Sequence, residues 1–542
     1  MPQLTFISEN ITVDVSEKES LLDAAIKAGV FIEASCGGRG LCGKCRVQIL
    51  KGDVTPPDEQ EQGKLTDRDL ENGIRLACKT FPLTDVTLQS LAEKKEGTAG
   101  SKTKVVLPEN FHSDKVKDGD KELFGIAFDI GTTTLVGMLW NLSKGVLVKA
   151  AARTNPQRQF GADVISRIVY AGESPENCKN LQQLVIGSMN EVTEELCSVI
   201  NLDPAELSFI TVDGNTTMSH LFMGVDPSPL AQAPYDAVFL GPLDVRAQEV
   251  GLLAGESTKI LLLPNIASHV GSDITAVILA ADLPNRENPT LAVDIGTNGE
   301  MVLAHNGKML TCSTAAGPAF EGASIYQGMR AAPGAIDGAR FEDGIFKVTT
   351  IDNAPAKGIC GSGLMDVTAA MIDAEVIDET GRLIEKEDAQ AEGFSEDLVS
   401  RLFKDERGTG FILAKNEDGS EVVLLQKDIR EIQLAKSAMF TGMEILMSRM
   451  GIKAKDLDKV LLAGAFGSYI RKESALKIGL VPQIDPERIV SIGNGAGLGV
   501  SMTLLSEESR RLAEKYARET EHIELANDPE FQDAFVDNLS FE

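Results

Sequence analysis

The chain contains one segment twice, and this repeat limits the folds that it can adopt. Residues 125–140 read GIAFDIGTTTLVGMLW and residues 290–305 read TLAVDIGTNGEMVLAH, and the two copies lie 165 positions apart. Each copy has an apolar run, the tetrapeptide Asp-Ile-Gly-Thr and a second apolar run, a pattern that predicts a β-hairpin with a polar, glycine-containing turn. Two such copies predict two similar α/β lobes that face each other.

The polar turns of the two copies are candidate phosphate-binding sites. One Asp-x-Gly turn alone is ordinary turn chemistry, but the matched pair favours a two-sided site in which successive backbone N–H groups hold an anion. We expect Asp129 and Asp294, at the strand ends, to hold Mg²⁺ through water, because Mg²⁺ dehydrates reluctantly. The residues expected to cradle phosphates are Gly131, Thr132, Thr133 and Thr134 in the first copy and Gly296, Thr297 and Asn298 in the second.

Four of the eight cysteines crowd into the first 78 residues. Cys36, Cys42 and Cys45 share a glycine-rich loop with the spacing C-x5-C-x2-C, and Cys78 follows after 32 residues. A [2Fe–2S] cluster takes four cysteine thiolates, so we expect these four side chains to be its ligands. The alternative is a zinc site, which also uses four cysteines but more often as two separated C-x2-C pairs.

This loop resembles that of the ferredoxin family. Plant-type members have C-x4-C-x2-C, and the five-residue gap here is similar to the adrenodoxin-like branch and to ferredoxin domains fused to larger proteins. The elements around the loop are predicted in the order strand, strand, helix, loop, strand, which is a compact α+β arrangement.

The charge of the chain excludes some classes of partner. With 52 Lys and Arg against 81 Asp and Glu, the formal net charge is −29, so the chain repels phosphate and we expect neither nucleic-acid nor membrane binding. The first residues show no secretory signal, and no stretch is long and apolar enough to span a bilayer. We therefore expect a cytoplasmic protein.

The segment from about residue 122 to 505 resembles the superfamily of acetate kinase, sugar kinases, Hsc70 and actin. DIGTTT resembles its phosphate-1 motif, DIGTNGE its phosphate-2 motif and LLAGAFGS its adenosine motif, while PNIASHVGSDITA and GNGAGLG resemble its two connecting helices. The resemblance implies ATP as a ligand. It also makes Asp273 a candidate for positioning the attacking water, with a helix-capping role as the alternative. The residues implied to contact adenosine are Gly464, Ala465, Phe466 and Gly467.

These resemblances predict the fold class and the domains. The fold class is an α+β β-grasp ferredoxin domain followed by duplicated α/β, RNase H-like lobes of the actin/Hsp70 ATPase type. We expect the ferredoxin domain at 1–92, a flexible linker at 93–121, the first ATPase lobe at 122–288, and at 289–542 the second lobe with a C-terminal helix and an acidic tail.

Nearly the whole chain resembles the reductive activators of corrinoid proteins. The order of the motifs and the segment TNPQRQFGADVISRI at 154–168 carry this resemblance. It implies that ATP drives transfer of one electron from the [2Fe–2S] cluster to a corrinoid methyl carrier, whose inactive Co(II) becomes Co(I). The implied partners are that carrier and an upstream electron donor, and a homodimer is left open.

Three other functions compete with this interpretation. An ATP-dependent activator of a radical dehydratase, or of another low-potential metalloenzyme, uses the same ATPase fold, but the radical-dehydratase class has a [4Fe–4S] cluster shared by two subunits and no N-terminal ferredoxin. A ferredoxin-linked small-molecule kinase would require a pocket for a phosphoryl acceptor. An actin-like scaffold would not couple ATP turnover to a corrinoid protein.

Overall fold

The structure is a computed structural model of the chain. It describes all residues except 1, 17, 31, 33, 35, 37, 41, 92–104, 117, 120, 323, 468 and 542, and it leaves undescribed the side chains of Ala465, Phe466 and Asn527.

The N-terminal unit is a five-stranded sheet with one main helix, the β-grasp arrangement that the sequence predicts. The strand order is β2-β1-β5-β3-β4, in which β1 pairs parallel to β5 and the other neighbours pair antiparallel. Its elements are β1 (Gln3–Phe6), β2 (Ile11–Asp14), α1 (Leu21–Lys27), β3 (Arg46–Lys51), α2 (Glu59–Gln62), α3 (Asp67–Glu71), β4 (Ile74–Leu76) and β5 (Val86–Ser90).

Helix α1 begins with a capping box. The Ser20 hydroxyl accepts a hydrogen bond from the backbone N–H of Asp23, and the Asp23 carboxylate accepts one from the N–H of Ser20, so both groups satisfy otherwise unpaired helix donors. After the helix Gly29 adopts a φ of +69°, which glycine tolerates without steric cost. The chain then enters the cysteine loop, so α1 sets the position of that loop against the sheet.

A buried ion pair, Glu61 with Arg75, lies next to the segment that carries Cys78. Glu61 accepts hydrogen bonds from the Arg75 guanidinium at 3.0 and 2.6 Å and from the N–H of Leu76 at 2.9 Å. The Glu61 side chain is fully buried, and Thr80 also donates to it. Since Leu76 and Thr80 flank Cys78, this carboxylate holds the segment that carries the fourth cysteine.

The first lobe is a six-stranded sheet with the order β10-β11-β9-β6-β7-β8. The first copy of the repeat forms the antiparallel hairpin of β6 and β7, and β9 runs parallel to β6 on its other side. The elements of this lobe are β6 (Phe124–Ile130), β7 (Thr134–Asn141), β8 (Val146–Thr154), α4 (Val164–Glu173), α5 (Pro175–Ser198), β9 (Leu207–Gly214), α6 (Thr216–Met223), β10 (Leu243–Arg246), α7 (Ala247–Val250), β11 (Lys259–Leu262) and α8 (Ser272–Ala280).

The second lobe repeats this plan, with the strand order β22-β21-β12-β13-β14-β23. Here the second copy forms the hairpin of β12 and β13, with β21 parallel to β12. The elements are β12 (Thr290–Ile295), β13 (Gly299–His305), β14 (Lys308–Thr314), β15 (Ala335–Glu342), β16 (Ile345–Thr350), β17 (Gly358–Ile359), α9 (Gly361–Asp373), α10 (Lys386–Ala391), α11 (Glu396–Arg401), β18 (Leu402–Asp405), β19 (Gly408–Lys415), β20 (Glu421–Leu425), α12 (Gln426–Met450), β21 (Lys459–Ala463), α13 (Gly464–Gly467), α14 (Lys472–Lys477), β22 (Ile489–Gly493), α15 (Gly495–Leu505), α16 (Glu507–Glu519), β23 (Thr520–His522) and α17 (Pro529–Asp537).

The two connecting helices, α8 and α15, lie between the two large sheets. Apolar residues of α8 pack against β12 and β13, and those of α15 pack against β6 and β7. The helices touch closely because residue 499 is glycine: a Cβ there would lie 2.0 Å from the carbonyl oxygen of Ala276. This glycine of the GNGAGLG segment therefore serves helix packing.

The acidic C-terminal segment is attached to the second lobe. Strand β23 extends the sheet beside β14, and α17 packs against α12. Phe541 is buried in the core of the second lobe. The sequence predicts a helix and an acidic tail here, but its charge pattern does not reveal this packing.

The segment at 93–121 is only partly described, since 92–104 lie outside the described residues. Beyond them, Leu107 and Phe111 pack against the apolar residues around α8 and α15. Asp114 accepts a hydrogen bond from the N–H of Glu507 at 2.7 Å. The described part of this segment thus lies on the ATPase lobes. A search of the described residues finds no helix that meets the length and hydropathy needed to cross a membrane.

The buried Glu61–Arg75 pair yields a stability prediction. Replacing Glu61 with Ala leaves the Arg75 charge buried without its partner, so we expect the free energy of unfolding of the ferredoxin domain to fall by about 3–5 kcal/mol. Urea titration of the cluster-loaded chain, followed by visible circular dichroism of the cluster, measures this loss. Glu59→Ala, an exposed change in the same helix, is the control, and an equal effect of the two variants would contradict the role of the pair.

Candidate functional site

The four predicted cluster cysteines come together as two thiol pairs. The Sγ atoms of Cys45 and Cys78 lie 3.3 Å apart, and the Cys42 thiol is hydrogen-bonded to Cys36. Among the described residues, no three His, Cys, Asp or Glu side chains are grouped so as to hold a single metal ion. Two thiol pairs, each suited to one iron, fit the donor set of a [2Fe–2S] cluster.

Burial and mutual contact shift the pKa values of these thiols. The Cys45 thiol donates a hydrogen bond to Cys78, and this bond together with burial raises the pKa of Cys45. The same hydrogen bond lowers the pKa of Cys78, against the opposing effect of burial. The hydrogen bond to Cys36, with burial, raises the pKa of Cys42. Coordination deprotonates a thiol outright, so cluster binding at these residues would replace the thiol hydrogen bonds.

In the first lobe, the predicted phosphate residues lie in the turn between β6 and β7. Gly131 makes this turn tight, since its N–H donates to the carbonyl of Thr134 at 3.0 Å and a Cβ there would lie 2.6 Å from the same oxygen. Thr132 accepts hydrogen bonds from Asn215 at its hydroxyl, at 2.9 Å, and from Arg167 at its carbonyl. The Thr133 hydroxyl points across the cleft to the second lobe.

In the second lobe, the equivalent turn lies between β12 and β13. The N–H of Gly296 donates to the carbonyl of Asn298 at 3.0 Å, and Thr297 is buried. The two turns face each other, because Thr133 and Thr297 both donate hydrogen bonds to one carboxylate, that of Glu321. The structure therefore brings the two predicted phosphate turns to one cleft.

The predicted adenosine segment begins at the edge of the same cleft. Gly464 has a φ of +84°, and a Cβ there would lie 2.6 Å from Oδ1 of Asp294. Gly467 packs against Leu462 of β21. The side chains of Ala465 and Phe466 lie outside the described residues, so the adenosine contacts remain a prediction.

The strand-end carboxylates of the cleft have raised pKa values. Burial raises the pKa of Asp129 to about 6 and that of Asp294 to about 7, and the charge of Asp129 contributes to the second shift. Asp273, the second residue of α8, has its pKa raised to about 8 by burial and by the nearby charge of Asp294. Gly271 is the N-cap of α8, so Asp273 is not the capping residue, although its carboxylate accepts a hydrogen bond from the N–H of Ile274.

Two further carboxyl groups in the cleft were not among the predicted site residues. Asp213 pairs with Asp129 in the register of β9 and β6 and is fully buried, and neither of its carboxylate oxygens has a hydrogen-bond partner among the described residues. Glu300 is buried in β13, the position opposite Asp294. Burial and the neighbouring carboxylates raise the pKa of both groups well above the usual range. Only the parallel pairing of β9 with β6 puts Asp213 here, and no local motif marks it.

The two lobes also contribute polar contacts that the motifs did not identify. Asn494 caps α15 and donates to Oδ2 of Asp129 at 2.9 Å, which fixes the second connecting helix on the first lobe. Arg330 donates to the Thr154 hydroxyl at 2.8 Å across the cleft. Arg167 is fully buried behind the first turn, and burial lowers its pKa to about 9. Arg167 lies within residues 154–168, the segment whose resemblance to corrinoid activators is noted above. That resemblance was the one indirect indication of Arg167 in the sequence.

The cysteine loop lies against both ATPase lobes. Arg39 donates to the carbonyl of Cys36 at 2.8 Å and to the Ser166 hydroxyl of the first lobe at 3.2 Å. Lys44, between the second and third cysteines, donates to the carbonyl of Ile325 in the second lobe at 3.4 Å. Hydrogen bonds therefore connect the cluster loop to both of the lobes that form the cleft.

Three family models cover almost the whole chain. Residues 5–83 match the 2Fe-2S iron-sulfur cluster binding domain, residues 124–286 match the RACo middle region, and residues 288–542 match the C-terminal domain of RACo, the ASKHA domain.

Full-length relatives share this arrangement. The chain is 31% identical to the corrinoid activation enzyme RamQ of Eubacterium limosum, over 98% of this chain and 97% of that protein. It is 26% identical, over 77% of each chain, to a Co(II) methylated amine-specific corrinoid protein reductase of Methanosarcina barkeri. A solved structure of a reductive activator for corrinoid, iron-sulfur protein superposes with a TM-score of 0.71 at 29% identity and covers 100% of this chain and 98% of that one.

These matches agree with the paired cysteines, the duplicated lobes and the facing turns. The chain therefore belongs to the RACo family of corrinoid reductive activators, with a [2Fe–2S] ferredoxin domain in front of an ASKHA ATPase domain.

Proposed function

We propose that this protein is an ATP-dependent reductase of a corrinoid protein, which reduces inactive Co(II) to Co(I) for methyl transfer. The observation that carries the proposal is the contact of the cluster loop with both lobes, through Arg39 to Ser166 and through Lys44 to Ile325. A redox centre that touches both halves of an ATPase cleft is suited to transfer electrons under nucleotide control. The names of the relatives, a corrinoid activation enzyme and a corrinoid protein reductase, support the same function.

The proposed reaction moves one electron from the reduced cluster to the cobalt of the bound carrier. When bound, the cluster supplies this one-electron chemistry, held by Cys36, Cys42, Cys45 and Cys78. Each ~59 mV by which the cobalt couple lies below the cluster potential disfavours the transfer tenfold. ATP can offset this only through different affinities for two states of the complex, so we propose that the nucleotide drives lobe closure and release of the reduced carrier.

The cleft residues receive the following roles in this proposal. The turn residues bind the phosphates through backbone N–H groups and hydroxyls, and Asp129 and Asp294 hold Mg²⁺ through water. Asp273 positions the attacking water, since it lies beside Asp294 at the N-terminus of α8. Besides the corrinoid protein, the other proposed partner is an upstream electron donor. We propose that the protein acts in the cytoplasm. We also propose a second copy of the chain as a partner, which measurement of the molecular mass in solution would test.

The direct test mixes the reduced protein, Mg·ATP and a Co(II) corrinoid protein. We expect the Co(I) absorption band to grow in proportion to ATP hydrolysed, and we expect the corrinoid protein to stimulate that hydrolysis. Equal Co(I) yield without nucleotide would refute the coupling. Phosphorylation of a small molecule without any Co(I) would instead favour the kinase interpretation.

Two substitutions are expected to separate the electron and nucleotide functions. Cys78→Ser removes one cluster ligand, so the visible absorption of the cluster and Co(I) formation should be lost while ATP binding persists. Asp294→Ala should keep the cluster spectrum and lose Mg·ATP binding, measured by calorimetry. Cys197→Ser, at a buried cysteine of the first lobe, is the control and should keep both. If both functions failed or both persisted in Cys78→Ser or in Asp294→Ala, the assigned sites would be contradicted.

The raised pKa values predict how nucleotide binding depends on pH. Asp294 and Asp129 bind a metal as carboxylates, and their pKa values lie near about 7 and about 6. Affinity for Mg·ATP should therefore weaken as the pH falls through about 7, and more steeply below about 6, because protons compete with the metal. Calorimetric titration of the wild-type protein from pH 8 to 5.5 measures the slope. A flat profile for the wild-type protein would exclude these carboxylates as metal ligands.

A further inference from the structure

Glu321 ties the two phosphate turns together. Its Oε2 accepts a hydrogen bond from the Thr133 hydroxyl at 2.6 Å, and its Oε1 accepts one from the Thr297 hydroxyl at 2.5 Å. Thr133 belongs to the turn of the first lobe and Thr297 to the turn of the second. One carboxylate therefore spans the cleft at the place where both turns meet.

The charge of Glu321 conflicts with that of a nucleotide at the same turns. The two threonine hydroxyls that donate hydrogen bonds to Glu321 are also potential donors to phosphate oxygens. In addition, a carboxylate at close range repels a phosphate group. Nucleotide phosphates and Glu321 thus compete for Thr133 and Thr297. Binding of ATP is expected to displace the carboxylate from at least one of the two hydroxyls.

The segment that follows Glu321 leads directly to the cluster loop. Glu321 ends a short 3-10 turn (Pro318–Glu321), and four residues later the carbonyl of Ile325 accepts the hydrogen bond from Lys44. The next residue, Tyr326, donates its N–H to Asp428 of α12 at 2.9 Å, which anchors the far end of the segment. Since Lys44 lies between Cys42 and Cys45, a displacement of this segment acts on the cluster loop between two of its three cysteines.

The first lobe holds the same loop from the other side. Arg39 joins the carbonyl of Cys36 to the Ser166 hydroxyl. The neighbouring Arg167 donates to the carbonyl of Thr132 in the first phosphate turn. A change at the Glu321 side therefore alters the attachment of the cluster loop through Lys44, while the attachment through Arg39 stays on the first lobe.

We propose that Glu321 is the positioning residue through which nucleotide binding reaches the cluster: phosphate displaces its carboxylate from Thr133 and Thr297, and the segment to Ile325 shifts Lys44 and the cluster loop. This inference rests on the proposed function, because it takes the cleft as an ATP site. Coupling between two sites is reciprocal, so oxidation state of the cluster must change nucleotide affinity by the same factor. For one electron, a tenfold ratio of the two affinities corresponds to ~59 mV in the cluster potential.

The first test uses Glu321→Gln in the full, cluster-loaded chain. Glutamine keeps the size of the side chain but removes its charge, and its single amide oxygen can accept from only one of the two threonine hydroxyls. Nucleotide affinity should therefore rise about tenfold, because the repulsion of phosphate is lost. The nucleotide-induced change in cluster potential and in visible circular dichroism should shrink relative to wild type. Glu342→Gln, at an exposed glutamate of β15, is the control and should behave as wild type in both measurements.

The second test separates the two ends of the path and stays informative if the Glu321 variant fails to fold. Lys44→Gln should bind nucleotide as tightly as wild type but lose the nucleotide-induced shift of the cluster signal. A wild-type protein that binds ATP without any change in cluster potential or spectrum would overturn the inference, as would a full response in both variants. These measurements need no corrinoid protein, so a failure here is distinct from a failure to form Co(I). Absence of ATP binding in the wild type would refute the proposed function together with this inference.

Discussion

Besides Glu321, five carboxyl groups share one cleft between the lobes, and this concentration of buried carboxyl groups is the constraint on which the site depends. Asp129 and Asp294 end equivalent strands, while Asp213, Asp273 and Glu300 lie beside them. Burial disfavours the charged forms, which is why each pKa is raised. The N-termini of α8 and α15 reach the same cleft, and the positive ends of their helix dipoles offset part of the cost. The proposed function places a metal ion and phosphates at this site, in a chain whose overall charge of −29 otherwise repels anions.

The two connecting helices, α8 and α15, pack together behind this cleft and join the two lobes. They are sandwiched between the two sheets and touch at Gly499, where a side chain would collide with Ala276. Asn494 then links the start of α15 to Asp129. Contacts across the cleft itself are few and polar, such as Arg330 with Thr154. Packed helices behind the cleft and hydrogen bonds across its mouth are the arrangement expected of lobes that open and close about a common axis.

The competing functions differ in how well they account for the N-terminal domain. The function of a radical-dehydratase activator does not require a [2Fe–2S] ferredoxin domain. The function of a scaffold does not require cysteines held close to a nucleotide cleft. The thiol pairs and the contacts of Arg39 and Lys44 place the electron carrier against both lobes. The agreement with corrinoid activators over 98% of the chain joins both parts in a single function.

The amino-acid sequence by itself determined the domain types, the repeat and the members of the cysteine set, because each depends on local patterns: strand alternation, turn residues and cysteine spacing. It also placed Asp129 and Asp294 at equivalent strand ends, which the hairpins of the structure reproduce. Only the tertiary structure decided that Asp213 and Glu321 belong to the cleft, since parallel pairing of distant strands and a contact between lobes bring them there. The same holds for the docking of the cysteine loop, because contacts between domains depend on complementary surfaces that no short motif encodes.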